Sequence, residues 1–405
     1  MDARLLALVA AVLGLSACAG PRSVLPEDVL FVRAGDGITL VRGLPGGEAV
    51  SIPGAVPSTD WSTIVRATPQ GDGTRIVATD SPSGSQLWSR DVLGKLEVRV
   101  ASQNGALVAL GKPREVSGYA IGRAITTLVI LGASAEPRTI ELDGNYQPEA
   151  FSTDGQSLFV VEYLPAERPT RYRVRRLDLL TEEVVGVYTV DQKLQKAMQG
   201  TARIQAGSRD GRRLYTLYTL EGTGGPPRAF VHVLSLDRLW AHCIDLPMEF
   251  AHSRESSMAI SVSPDGRHVY VADTRSGMVA SLDTESLSVA DTASVHLGSF
   301  RGVTQAAAGP QERLFLGKGT ALRSLDTSSL SVSGTWQMPH RITGLQPAND
   351  GRRLYVGQRG EILVVDTQTG EILPAVDVNV DGNIDQLGGS TRFLSDQRTE
   401  LECAC

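Results

Sequence analysis

Residues Ser263-Pro264-Asp265-Gly266-Arg267-His268-Val269-Tyr270-Val271-Ala272-Asp273 decide the fold. An Asp-Gly pair followed by alternating apolar residues signals a hairpin, because Gly accepts positive φ and Asp bonds its own downstream backbone. The pattern recurs in Asn349-Asp350-Gly351-Arg352-Arg353-Leu354-Tyr355 and Arg209-Asp210-Gly211-Arg212-Arg213-Leu214-Tyr215. Thr153-Asp154-Gly155-Gln156-Ser157-Leu158-Phe159 and Gln103-Asn104-Gly105-Ala106-Leu107-Val108-Ala109 belong to the same set. A second element follows it. Ser281-Leu282-Asp283-Thr284-Glu285-Ser286-Leu287-Ser288-Val289 returns at Ser324–Val332 with eight of nine residues identical and an offset of 43. A third copy starts at Val364-Val365-Asp366-Thr367, and looser ones lie at Ser89–Lys95, Arg176-Leu177-Asp178 and Ser235-Leu236-Asp237. Two hairpins per repeat make four strands, which is one propeller blade.

On these residues the chain resembles the YVTN-type, WD-repeat-like β-propellers of bacteria, whose blades carry a Ser-Pro-Asp-Gly-Arg turn before the second strand. The likeness is best from Ala259 to Gly382. The Trp-Asp dipeptide of true WD repeats is absent at the matching strand ends, so that family is not assigned. The expected fold is all-β, a single propeller of four-stranded antiparallel blades. Second hairpins fall near residues 39–50, 87–98, 128–141, 175–187, 233–245, 280–290, 323–332 and 363–373, which gives eight blades. Seven result if two units merge, since Leu96–Ala101 has to close one unit or open the next. Asn383–Gly389 reads as the inner strand that the N-terminal unit lacks, so the two ends of the chain share one blade and close the ring. Val190–Gly200 reads as a short helix set into a loop.

The N-terminus carries an address. An apolar run, Leu5–Leu15, is too short to span a bilayer and ends in Ser16-Ala17-Cys18. Leu15-Ser16-Ala17-Cys18 resembles the lipobox of bacterial lipoproteins, which implies cleavage before Cys18 and acylation of its thiol and new amino group. More than one acyl chain suffices for stable anchoring. The expected layout is a signal peptide at 1–17, lipidated Cys18 with a tether to residue 28, a propeller at 29–398 and a tail at 399–405. That places the protein on the extracytoplasmic face of the cell membrane.

A formal charge of −6 argues against nucleic acid as a partner. Only five of the 39 basic residues are lysines, and the arginines are scattered rather than clustered. Export permits disulfides. Cys243 can pair with Cys403 or Cys405, or all three remain thiols or metal ligands; Cys-Ala-Cys without a neighbouring His is a weak metal signal. No G-x-S-x-G or H-E-x-x-H occurs, and the six histidines show no ligand spacing. One metal candidate stands out: Asp377, Asn379, Asp381, Asn383 and Asp385 follow D-x-N-x-D-G-x-x-D, resembling the calcium loops of integrin-type propellers. Alternating oxygens suit a hard cation, but Gly388 occupies the position where an EF-hand places its bidentate Glu. An ordinary turn explains the same residues, so no cofactor is expected, with calcium as the alternative. The expected function is a binding or scaffold module for a protein, peptide or glycan. The alternative is an extracytoplasmic enzyme acting on a small metabolite or cell-wall fragment, with its active site at the channel.

Overall fold

The computed structural model describes residues 28–34, 37–42, 49–113, 122–191, 193–194, 196, 198–220, 226–298, 301–376, 386–387 and 391–393. Its strands build eight antiparallel blades around a ring. Within each blade we letter the strands a to d from the channel outward. Blade 2 comprises Val56–Pro57, Thr63–Gln70, Gly73–Asp80 and Gln86–Leu93. Blade 3 comprises Glu97–Ala101, Leu107–Gly111, Ile125–Gly132 and Arg138–Asp143. Blade 4 comprises Asn145–Phe151, Ser157–Leu164, Arg171–Asp178 and Val184–Gly186. Blade 5 comprises Thr201–Gly207, Arg213–Leu220, Arg228–Ser235 and Trp240–Asp245. Blade 6 comprises Met258–Val262, His268–Asp273, Met278–Asp283 and Ser288–Ser294. Blade 7 comprises Gln305–Gly309, Arg313–Lys318, Ala321–Asp326 and Val332–Gln337. Blade 8 comprises Gly344–Pro347, Arg353–Gln358, Glu361–Asp366 and Ile372–Val376.

Blade 1 closes the ring as expected. The N-terminal chain supplies Val29–Ala34, Gly37–Arg42 and Ala49–Pro53 as strands b, c and d, while Gln386–Leu387 pairs with Val32 and Arg33 as strand a. Asp28 fastens the junction: its buried carboxylate accepts the Tyr355 hydroxyl at 2.6 Å and the Asn349 N–H at 3.2 Å, both from blade 8.

The cores lie between blades. Between blades 5 and 6, Leu217, Val231, Phe250, Met258, Ile260 and Val271 interlock at zero exposure. Each such side chain contributes roughly 1.5–3 kcal/mol relative to exposure.

Strand order gives the disc two unlike faces. The a–b and c–d turns share one, here the turn face, and the b–c and d–a connections share the other, the loop face. The repeated sequence builds the turn face. Ser263 Oγ donates to Asp265 Oδ1 at 2.6 Å and accepts the His268 N–H at 2.9 Å, while the Gly266 N–H reaches Ser263 O. Ser58, Ser102, Ser152 and Ser208 repeat this lock in blades 2 to 5. In blade 2 Trp61 takes the glycine position at φ 61°, which hides the repeat there. The Asp-Thr element caps the c–d turn: Asp283 Oδ1 accepts the N–H groups of Glu285 and Ser286. Thr284 Oγ1 then donates to Gly266 O at 2.8 Å, tying the two repeated elements together. Arginines latch blade to blade, Arg213 onto Thr284 O and Arg313 onto Thr367 O, each at 2.7 Å.

Two expectations are corrected. Ser89–Lys95 is not a c–d turn and 87–98 is not a second hairpin, because Gln86–Leu93 is continuous strand d of blade 2. Asp91 does not cap a turn; it pairs across the strands with Arg75 at 2.8 Å. The true c–d turn is capped by Asp80, which accepts the Ser83 N–H, and Leu96–Ala101 opens the next unit, with Glu97–Ala101 as strand a of blade 3. The described residues of Val190–Gly200 form no helix. Leu194 and Met198 make isolated bridges to Tyr188 and Tyr172, and Met198 packs into the core between blades 4 and 5.

Candidate functional site

The inner strands line the channel, and three consecutive ones break the repeat. Each carries a β-bulge: between Val98 and Val100 in blade 3, Pro148 and Ala150 in blade 4, and Ala202 and Ile204 in blade 5. The extra residue is charged in every case: Arg99, Glu149 and Arg203. A bulge opposes two residues to one on the partner strand and re-aims a side chain. Its effect shows in the flanking residues. Val98 packs toward blade 2 and Val100 toward blade 4; Ala202 packs toward blade 4 and Ile204 toward blade 6. In blades 6 to 8 the inner strands pair in regular register, and small residues dominate that of blade 7, Ala306–Ala308 and Gly309. Ser261 Oγ accepts the Ala308 N–H at 2.9 Å, which stitches blades 6 and 7 along the wall.

The bulged side chains are held by named partners. Arg99 meets Glu97 at 3.2 Å and donates to Lys112 O. Glu149 Oε1 accepts Gln205 Nε2 at 2.6 Å from the next blade, and Gln205 also donates to Thr216 Oγ1. Arg203 Nε donates to Thr219 Oγ1 at 2.8 Å. Gln147 accepts the Tyr163 hydroxyl at 3.0 Å, where an aromatic file of Tyr163, Tyr172, Tyr218 and Phe230 begins between blades 4 and 5. The result is a crescent of fixed donors and acceptors on one side of the channel.

At the turn face hydrogen bonds span the channel mouth, and long connections border it at the other. Gln103 of blade 3 donates to Asp210 O of blade 5, and Arg209 Nη2 meets Asn349 Oδ1 of blade 8 at 3.4 Å. These bridges cross the mouth between non-adjacent blades. At the loop face, by contrast, blade-to-blade connections run to 187–200, 246–257 and 295–304. Long loops on a rigid scaffold are where binding residues concentrate.

Two further described carboxylates are buried: Glu162, which pairs with Arg173 and Arg175 in blade 4, and Asp273. Asp273 lies near the loop face between blades 6 and 7, accepts Ser253 Oγ at 2.5 Å and caps the Arg275 and Ser276 N–H groups. Its pKa is lowered because those hydrogen bonds outweigh burial, which alone would raise it. Lys318 donates to nearby Thr274 at 2.6 Å, and burial lowers its pKa against the pull of Asp273. The roles filled here are those of a turn cap.

Cys18, Cys403 and Cys405 lie outside the described residues, as do Asp377, Asn379, Asp381, Asn383 and Asp385 between strand d of blade 8 and Gln386. Cys243 is exposed on the outer strand of blade 5 and forms no disulfide among the described residues. Among the described residues no three His, Cys, Asp or Glu side chains gather for a metal ion, and no helix is long and apolar enough to cross a membrane. The sequence reading missed Arg99, Glu149, Arg203 and Gln205. Val-Arg-Val and Ala-Arg-Ile look like ordinary alternation, and only the register reveals the extra residue.

No protein-family model and no curated protein sequence matches the chain. Solved structures do. Apo AztD from Citrobacter koseri is similar with a TM-score of 0.55 at 15% identity, covering 89% of this chain and 98% of that one. The dihydro-heme d1 dehydrogenase NirN, solved in complex with DHE, gives 0.52 at 16%, covering 93% and 78%. Sqt1 from Saccharomyces cerevisiae gives 0.50 at 8%, covering 82% and 86%. At these identities the likeness shows the propeller fold alone.

Proposed function

We propose that this protein is a binding module, a rigid propeller that takes a protein, peptide or glycan into the loop-face mouth of its channel along blades 3 to 5. The observation that carries this reading is the run of three bulges at Arg99, Glu149 and Arg203. Bulges are built features rather than defects, and three at charged residues on adjacent blades concentrate directional donors and acceptors in one place. Guanidinium groups offer fixed forks of N–H donors to carboxylate or carbonyl oxygens, and Glu149 offers acceptors. On the turn face, by contrast, the repeated aspartates Asp154, Asp265, Asp283, Asp326 and Asp366 accept the N–H groups of their own turns. On the lipobox resemblance, we place the module outside the cytoplasm, tethered through Cys18.

The test uses the full-length chain in detergent on peptide and glycan arrays, beside an Arg99→Ala, Glu149→Gln, Arg203→Ala variant. Probes retained by the wild type should lose at least about tenfold in signal on the variant at an unchanged melting midpoint, the cost of roughly one desolvated charged contact. An identical set of bound probes on both proteins refutes the site.

A further inference from the structure

After Gln386–Leu387 has completed blade 1, the chain crosses the ring. Thr391–Phe393 pairs antiparallel with strand a of blade 5, with Phe393 opposite Ile204, Arg392 opposite Gln205 and Thr391 opposite Ala206. Blade 1 and blade 5 face each other across a ring of eight, so Leu387, paired to Val32, and Thr391, paired to Ala206, lie on opposite sides of the channel. Strand sense fixes the path: the segment runs down blade 1 toward the turn face, then up blade 5 toward the loop face. Among the described residues, no other blade has a fifth strand on its channel edge. It lies against the strand that bears the Arg203 bulge and Gln205.

We infer that the channel edge of blade 5 is a strand-acceptor site for an extended polypeptide segment of a partner, and that residues 391–393 are its resident occupant. The inference deepens the binding reading above and rests on it. A strand edge offers a row of main-chain N–H and C=O groups, and pairing with them demands an extended backbone rather than one sequence. Specificity then comes from neighbouring side chains, here Gln205, Glu149 and Arg203. A three-residue occupant makes few hydrogen bonds, so a longer incoming strand that pairs further along Thr201–Gly207 displaces it. The resident strand thereby lowers the apparent affinity of any competitor by the fraction of time it holds the edge.

The experiment uses the full-length chain and a fluorescein-labelled peptide of the sequence Ser390–Gln397. In an antiparallel pair consecutive N–H groups point to opposite sides, so one of residues 392 and 393 donates to blade 5. Proline lacks that N–H, so the resident strand is weakened by Arg392→Pro or Phe393→Pro. One of these variants should bind the peptide at least tenfold more tightly than the wild type does by fluorescence anisotropy. Amide exchange of Ile204, Gln205 and Ala206 should speed up in that variant and slow again when peptide is added. Equal peptide affinity in all three proteins overturns the proposal, as does exchange at Ile204–Ala206 that ignores the peptide. If array ligands still depend on Arg99, Glu149 and Arg203 while the peptide fails, the strand-acceptor proposal falls and the binding reading stands. If both fail, both fall.

Discussion

Replacing Gly105 by alanine isolates how the repeated turns hold neighbouring blades. Gly105 sits at φ +65°, and a Cβ there would lie 2.4 Å from Thr63 Cγ2 and 2.7 Å from Thr63 Cβ of blade 2. Thr63 cannot swing away freely, since it is 2% exposed and donates to Asn104 O at 3.2 Å. Gly266 supplies the control: its φ is +72°, yet a Cβ there meets nothing within 4 Å. Gly266→Ala should therefore cost only the left-handed backbone penalty, about 1–2 kcal/mol. Gly105→Ala bears that penalty plus overpacking of about 1–3 kcal/mol. Adding Thr63→Ala removes Cγ2 but leaves Cβ, so it should recover part of the excess and show coupling of about 1 kcal/mol in a double-mutant cycle. Urea unfolding followed by circular dichroism reads the midpoints, with the slope checked for constancy. If Gly105→Ala and Gly266→Ala agree within about 0.5 kcal/mol, the turns do not pack blade on blade as described.

Tyr355→Phe removes a buried donor to Asp28 and should destabilise by about 1–3 kcal/mol; an unchanged urea midpoint would show that this latch does not hold the N-terminal strand. The carboxyls of Asp154 and Asp265 are held below the usual value chiefly by the Ser152 and Ser263 hydroxyls. Asp283 and Asp366 are lowered first by the backbone N–H groups of Ser286 and Thr369. A lowered folded pKa gives stability that is present above the unfolded value near about 4 and lost as pH falls through the folded one. The melting temperature should hold level from pH 7 to 5 and fall below pH 4, and a level profile to pH 2 would exclude these caps as contributors. In a bacterial host fed an alkyne-bearing fatty acid, the wild type should label and Cys18→Ser should not; equal labelling removes Cys18 as the anchor.

The sequence displays what the fold repeats. Ser263-Pro264-Asp265-Gly266 and Ser281–Val289 are legible because each turn needs the same hydroxyl, carboxylate and positive-φ residue. Ring closure was legible too, since the first unit visibly lacked an inner strand. Blade 2 misled because Trp61 stands in a glycine position and Asp91 supplies a cross-strand ion pair in a stretch that resembles a turn. The candidate site was hidden for a different reason. A bulge changes register by one residue without changing composition, so Arg99, Glu149 and Arg203 read as ordinary outward positions. What singles them out is their recurrence on three adjacent blades, which appears only when strands are paired.

The position of Asp28 has a bearing on orientation. The described chain begins there, bonded to Asn349 in an a–b turn, and so on the turn face. If Cys18 carries the acyl chains, the ten residues to Asp28 reach at most about 35 Å, and they lead to the side whose mouth Gln103, Asp210, Arg209 and Asn349 bridge. On that premise the tether joins the disc on its bridged face, and the loop face lies on the opposite side. A soluble partner would dock from outside without competing with the membrane for room.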